Sequence, residues 1–189
     1  MTDTPDLSLV RKAKAGSREA FEELVRRHHP RIVRLAAALL ADPEEARDAA
    51  QETFLKAFRF LVKFKEDSAF GTWLYRIASN HCLDLIRARR PNQSWDELLE
   101  KDGDRLEKAL RGPGTDSDPL ENRDLLARAL GALSPEYAIV LTLRETEGLS
   151  YEEIAQATDS SLDCVKARLK RARKELEERL RPLFKSDTF

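Results

Sequence analysis

A chain of 189 residues with 41% hydrophobic side chains can build one large domain or two small ones with ordinary cores. Its 33 basic and 34 acidic residues leave a net charge of −1, which excludes a generally cationic nucleic-acid binder: any grip on a polyanion must come from charge gathered in one place. The opening MTDTPDLSLV has no basic segment leading into an apolar run, and no apolar stretch approaches spanning length, so a soluble, cytoplasmic protein without membrane insertion is expected.

Apolar residues recur at helical spacing almost throughout, with no convincing period-two run, so the expected class is all-α. A short helix over about Leu7 to Ala15 leads through Gly16-Ser17 into a long one ending near Leu40. Asp42 is placed to cap the next helix, with Pro43 at its first position and Glu45 completing a capping box; that helix runs to about Phe60. A loop over Leu61 to Ala69 precedes a helix over about Phe70 to Arg90. Pro91-Asn92 and Gly112-Pro113-Gly114 then break the pattern. The expected organisation is a first domain over 1–91, a linker over 92–118 and a second domain over 119–189. Residues Asp96 to Asp124 hold ten acids against five bases, a composition that favours a tether, with at most a brief helix near Trp95 to Leu110. In the second domain Ser134-Pro135 starts a helix. Ser150 and Glu153 form a capping box for the next, whose Ile154/Ala155/Thr158 side turns inward.

The last helix carries the strongest signal. Leu162, Val165, Leu169, Ala172 and Leu176 share one stripe, leaving Asp163, Ala167, Lys170, Arg171 and Lys174 opposite. Between Lys166 and Lys174 lie six basic residues and no acid, the footprint of a helix lying in a major groove with flanking side chains on phosphate. A merely solvated basic face is the bland alternative.

Two earlier helices carry a second face each. On Pro43 to Phe60 the expected inward face is Ala46, Ala50, Thr53, Phe54, Ala57 and Phe58. The other side gathers Asp48, Gln51, Glu52, Leu55 and Arg59, a mixed surface suited to docking another helix, unless Leu55 is simply a lone exposed apolar residue. On Phe70 to Arg90, Leu74, Ile77, Ala78, His81, Cys82 and Leu85 point inward and Trp73, Arg76, Asn80, Asp84 and Arg87 outward. An aromatic among arginines and an amide suits an unpaired base: the ring stacks, the guanidinium holds backbone and the amide reads a base edge. Phe64, Lys65, Ser68 and Phe70 could wall a pocket for an extruded nucleotide, or Phe64, Phe70 and Trp73 could seal a small core. Cys82 and Cys164 lack partners at ligand spacing and are expected as buried free thiols. His28, His29 and His81 are expected as surface or packing residues, without a metal or other cofactor.

The order DAAQETFLKAFR, FGTWLYRIASNHCLDLIRARR, a linker, and LSPEYAIVLTLRETEGLSYEEIAQATDSSLDCVKARLKRARKEL closely resembles the bacterial RNA polymerase sigma-70 family, in its extracytoplasmic-function group, over nearly the whole chain. The resemblance implies two helical domains, regions 2 and 4, and a non-enzymatic factor that binds core RNA polymerase and promoter DNA. It implies that Asp48, Gln51, Glu52 and Leu55 dock on the clamp helices of the largest subunit, and that the flap is a second contact. It places Phe64 and Ser68 in the loop that captures a flipped base of the −10 element, and Trp73, Arg76, Asn80 and Arg87 where that element is held and melted. Lys166, Ala167, Lys170 and Arg171 fall where the −35 duplex is read, with Arg168 and Arg173 on phosphate or in packing. An anti-sigma factor is a further implied partner. One departure stands out: Asp163-Cys164 replaces the small Gly-Thr or Gly-Ser pair usual at the start of the reading helix. An acid there can accept from a cytosine amino group, so the promoter sequence does not follow from the family. The competing reading is a stand-alone helix-turn-helix regulator, which leaves the Trp73/Asn80 stripe unexplained.

Overall fold

Local chemistry sets most of the helix boundaries. The computed structural model describes residues 4–40, 42–89, 130 and 133–184, and every regular element among them is helical. Helix α1 (Thr4–Lys14) ends where Gly16 takes a φ of 102°, a left-handed turn that costs glycine nothing. Ser17 then caps α2 (Arg18–Leu39) by accepting the Ala20 N–H. Asp42 accepts from the N–H groups of Glu44 and Glu45 at the start of α3 (Pro43–Phe60). The return half of the expected capping box is replaced: the Glu45 carboxylate pairs with Arg89, at the end of α4 (Phe70–Arg89), because a guanidinium is a stronger partner than one more amide. The expected loop after Phe60 opens with a 3-10 turn, Leu61–Lys63, that tucks Leu61 into the core.

Helix α2 packs against α1, α3 and α4. Leu24, Ile32 and Leu35 from α2 meet Ala50, Phe54 and Ala57 from α3 and Leu74 and Ala78 from α4, all buried. At the α1–α2 contact, buried Asp6 accepts from Arg27 at 3.1 Å and lies 2.5 Å from His28 Nε2, so His28 is a packing residue whose polarity is satisfied. On α3 two expectations change. Phe58 is 54% exposed, with the Phe21 ring near the start of α2 at 4.9 Å between centroids; Ala49 is buried instead.

In the second half, α5 (Pro135–Leu141) starts after Ser134 with proline in its first turn, and runs into a π turn, Thr142–Thr146. Helix α6 (Tyr151–Thr158) carries the expected capping box, with the Glu153 N–H donating to Ser150 and the Ser150 N–H to Glu153. Asp159 closes α6 at a φ of 51°, a left-handed cap that aspartate tolerates. The Ser161 hydroxyl accepts the Cys164 N–H at the start of α7 (Leu162–Phe184). Val165, Leu169 and Ala172 are buried as their spacing predicts. Across from them on α6 the buried residues are Ile154 and Ala157, while Ala155 and Thr158 are half-buried.

The two halves share one buried cluster that runs from Val10 to Ala172; α4 lies along α6, and α2 along α5. No described helix is long and apolar enough to cross a membrane. The expected linker over 92–118, the helix expected near Trp95 to Leu110 and the start of the second unit at 119 lie outside the described residues.

Candidate nucleic-acid interface

Burial of one stripe of α7 leaves Asp163, Lys166, Ala167, Lys170, Arg171 and Lys174 on the open side. These cations are not equivalent. Arg168 is half-buried and donates to the Ser160 hydroxyl at 3.0 Å, tying the turn to the helix. Arg173 grips Glu145 at 2.8 Å, tying the helix to the π turn. Lys166 lies 3.8 Å from Asp163, and Lys174 3.7 Å from Glu178. Lys170 and Arg171 have no ion pair among the described residues, so their charge is available to an incoming anion. Asp163 has a side chain 95% exposed at the front of the face, where it can meet a base edge. Cys164 is half-buried, and Cys82 fully buried, its thiol pushed up to about 12 by burial.

The α4 region differs from its expected form. Arg76, Asn80, Asp84 and Arg87 are exposed as predicted. Trp73 is half-buried, with its ring centroid 5.0 Å from that of Phe64 and 5.7 Å from that of Phe70. Phe64 is 3% exposed and Phe70 2%, so neither walls an open pocket here; they form a floor on which Trp73 rests. The preceding loop is pinned from a direction that the sequence did not indicate. Glu66, at a φ of 61°, accepts from Lys14 and Arg11 of α1, each at 3.0 Å, and Lys14 also donates to the Phe64 carbonyl at 2.6 Å. Those two cations hold the Glu66 carboxyl below its ordinary value. Ser68 is half-buried beside this anchor.

A third surface lies between α2 and α3. Asp48, Gln51 and Leu55 line a groove with Phe21, Val25 and Phe58, so the mixed stripe expected on α3 opens onto apolar surface. Leu55 is 48% exposed, and Phe58, Phe60 and Val62 extend the exposure, so Leu55 is not a lone apolar residue. Glu52 is half-buried and looks toward His81, whose imidazole is held below its usual value by burial and by Lys56, 2.8 Å away. No group of three or more acidic, histidine or cysteine side chains among the described residues could hold a metal ion.

The sequence did not anticipate Glu147. Its side chain, 1% exposed, accepts from Arg31 at 2.6 Å, from Tyr75 at 2.7 Å and from Arg34 at 3.0 Å. Burial pushes the Tyr75 phenol well above its ordinary value, so it stays a donor. These partners lie up to 116 residues away, and no local pattern announces such a meeting.

Comparison with known proteins agrees with this arrangement. The model of Sigma-70 region 2 matches residues 24–91 and that of Sigma-70, region 4 matches residues 123–176. The RNA polymerase sigma-H factor of Pseudomonas aeruginosa is 37% identical over 191 residues, covering 98% of each chain. The ECF RNA polymerase sigma-E factor of Escherichia coli K12 is 34% identical over 185 residues, covering 95% of this chain and 96% of its own. Among solved structures, CnrH in complex with the cytosolic domain of CnrY superposes with a TM-score of 0.68 at 30% identity, covering 97% of this chain and 99% of its own. The sigma factor RpoE in complex with the anti-sigma factor NepR, from Bartonella quintana, gives 0.63 at 25% identity, covering 89% and 98%. Regions 2 and 4 in this order, with relatives 34% and 37% identical over nearly their full length, establish that the chain belongs to the sigma-70 family of RNA polymerase sigma factors, in its extracytoplasmic-function group.

Proposed function

We propose that the chain is a non-catalytic, cytoplasmic initiation factor that brings core RNA polymerase to its promoters, reading the −35 element as duplex and opening the −10 element. The observation that supports this reading is the presence, on one chain, of two exposed faces of different chemistry. One is the Lys170/Arg171 pair, without an ion pair among the described residues, on a helix packed by its other side; the second is the Trp73, Arg76, Asn80 and Arg87 stripe of α4. A cationic helix suits paired DNA. An aromatic flanked by an amide and guanidinium groups suits bases that have left their stack, where stacking returns about 1–3 kcal/mol per base against an unstacking cost of a few.

In this reading Lys166, Ala167, Lys170 and Arg171 face the −35 groove, while Arg168 and Arg173 brace the helix through Ser160 and Glu145. Ser68 and the α4 stripe hold the −10 strand, with Phe64 supporting Trp73 from beneath. Asp48, Gln51, Glu52 and Leu55 dock on the clamp helices of the largest polymerase subunit, where the groove between α2 and α3 accepts an apolar helix face. The second domain adds a contact at the polymerase flap, and the boundaries fall at 1–91, 92–118 and 119–189. An anti-sigma factor is the natural antagonist, as RpoE of Bartonella quintana was solved with one. Run-off transcription with purified core enzyme on genomic fragments tests the reading: transcripts that start at defined sites only when the chain is added are expected. Protection of a palindromic duplex without polymerase, and no new transcripts with it, would point to a stand-alone helix-turn-helix regulator instead.

A further inference from the structure

The loop that leads into α4 is held by side chains from α1 and not by its own backbone. Among the described residues, the backbone groups of Lys65 to Ser68 take part in no hydrogen bond to another backbone group. The bonds that exist lie at the two ends, from the Phe64 N–H to the Leu61 carbonyl and from the Trp73 N–H to the Ala69 carbonyl. Between them Glu66 stands at a φ of 61°, a left-handed conformation that a residue with a Cβ disfavours. Left free, Glu66 would relax out of it, and Asp67, Ser68 and Ala69 would swing relative to the Trp73 ring.

Two cations of α1 prevent this. Arg11 donates to Glu66 Oε2 through Nε at 3.1 Å and through its terminal nitrogen at 3.0 Å, and Lys14 donates to Oε1 at 3.0 Å. The same Lys14 ammonium donates to the Phe64 carbonyl at 2.6 Å and lies 5.4 Å from the centre of the Phe64 ring, so one group joins residues 64 and 66. The Lys14 side chain is 22% exposed and that of Arg11 65%, which makes Lys14 the less screened partner. Helix α1 is itself fixed: Val10 and Ala13 are buried in the core, and Asp6 accepts from Arg27 of α2. An incidental surface ion pair needs neither a left-handed residue nor a bond to a backbone carbonyl. A receiving loop needs both its shape and its stiffness, because ordering it at the moment of capture would subtract from the stacking and hydrogen bonding that offset removal of a base from its stack.

We propose that Lys14, assisted by Arg11, grips Glu66 so that the loop over 64–69 keeps the shape that receives a displaced base, which makes α1 a positioning element for capture of the −10 strand. The inference rests on the reading of Ser68 and the α4 stripe as the −10 surface. Arg11, Lys14 and Glu66 are positioning residues, none of them placed against a nucleotide. The test uses core polymerase loaded with the full chain and single-stranded oligonucleotides carrying the −10 sequence of a promoter found by run-off transcription, either intact or with an abasic site at each position in turn. Lys14→Met and, separately, Glu66→Ala should each lower affinity for the intact strand by roughly tenfold, yet bind the strand that lacks the captured base as the parent does. Co-purification with core polymerase and helical circular dichroism should not change. In the free chain, amide hydrogen exchange over residues 64–69 should quicken in both variants. Parental affinity of either variant for the intact strand, an equal loss on intact and abasic strands, or unchanged exchange would each overturn the grip. If the parent yields no promoter, or no abasic site weakens its binding, the −10 reading fails and takes the inference with it; a base-sensitive parent matched by its variants removes the grip alone.

Discussion

Among the cations of α7, partner choice separates open side chains from those engaged within the fold. Arg171 is exposed and without an ion pair among the described residues, while Arg173, two positions on, spends its guanidinium on Glu145. Arg171→Ala should therefore weaken −35-dependent initiation, by about 1–3 kcal/mol if the side chain reads a base, and leave binding to core polymerase intact. Arg173→Ala should act instead on the packing of α7 against the π turn, and only slightly, because the exposed pair is worth at most about 1 kcal/mol. Initiation assays on promoters with an intact and a scrambled −35 element distinguish the two; equal losses from Arg171→Ala on both would remove it from the groove. Cys82 shows why residue type alone says little at this scale: full burial disfavours its thiolate and makes it a poor redox sensor.

Helices α3, α4 and α7 each carry a buried stripe and an exposed face, and the width of the buried stripe decides which residues remain available. On α3 the alanines at 46, 49, 50 and 57 let α2 and α4 approach closely, so the larger residues of the outer face stand clear around a groove. Phe58 belongs to that outer face. The sequence placed it on the inward face by helical spacing from Phe54, but it stands 54% exposed beside Phe21, near the start of α2. Asp48→Lys together with Gln51→Lys should abolish co-purification with core polymerase without loss of helicity, since both positions are solvent-exposed. Retained binding at normal levels would move the docking face elsewhere.

At the scale of the whole molecule the burial of Glu147 links stability to pH. Burial, the largest influence, pushes its carboxyl up, yet the bonds from Arg31, Tyr75 and Arg34 together outweigh it and hold the group below its ordinary value of 4.5. A carboxyl depressed in the folded state adds stability that is fully present above its unfolded value and is lost as pH falls through the lower folded one. The unfolding temperature should therefore drop on acidification from pH 4.5 downward. Glu147→Gln lacks this contribution, so the gap between variant and parent should close as the pH falls; parallel curves in differential scanning calorimetry would show that Glu147 is not the linked group.

Helix positions, the capping box at Ser150 and Glu153, the buried stripe of α7 and the all-α class were legible in the sequence because each depends on residues within about one or two turns of one another. The basic face of the last helix was legible for the same reason. Tertiary structure alone decided that Phe64 and Phe70 lie beneath Trp73 instead of lining a pocket, that Arg11 and Lys14 anchor Glu66, and that Glu147 binds side chains up to 116 residues away. Periodicity specifies which side of a helix is turned inward. Which helix comes to lie against it, and which charges then meet, depends on packing between segments far apart in the chain, and this left no local trace in the sequence.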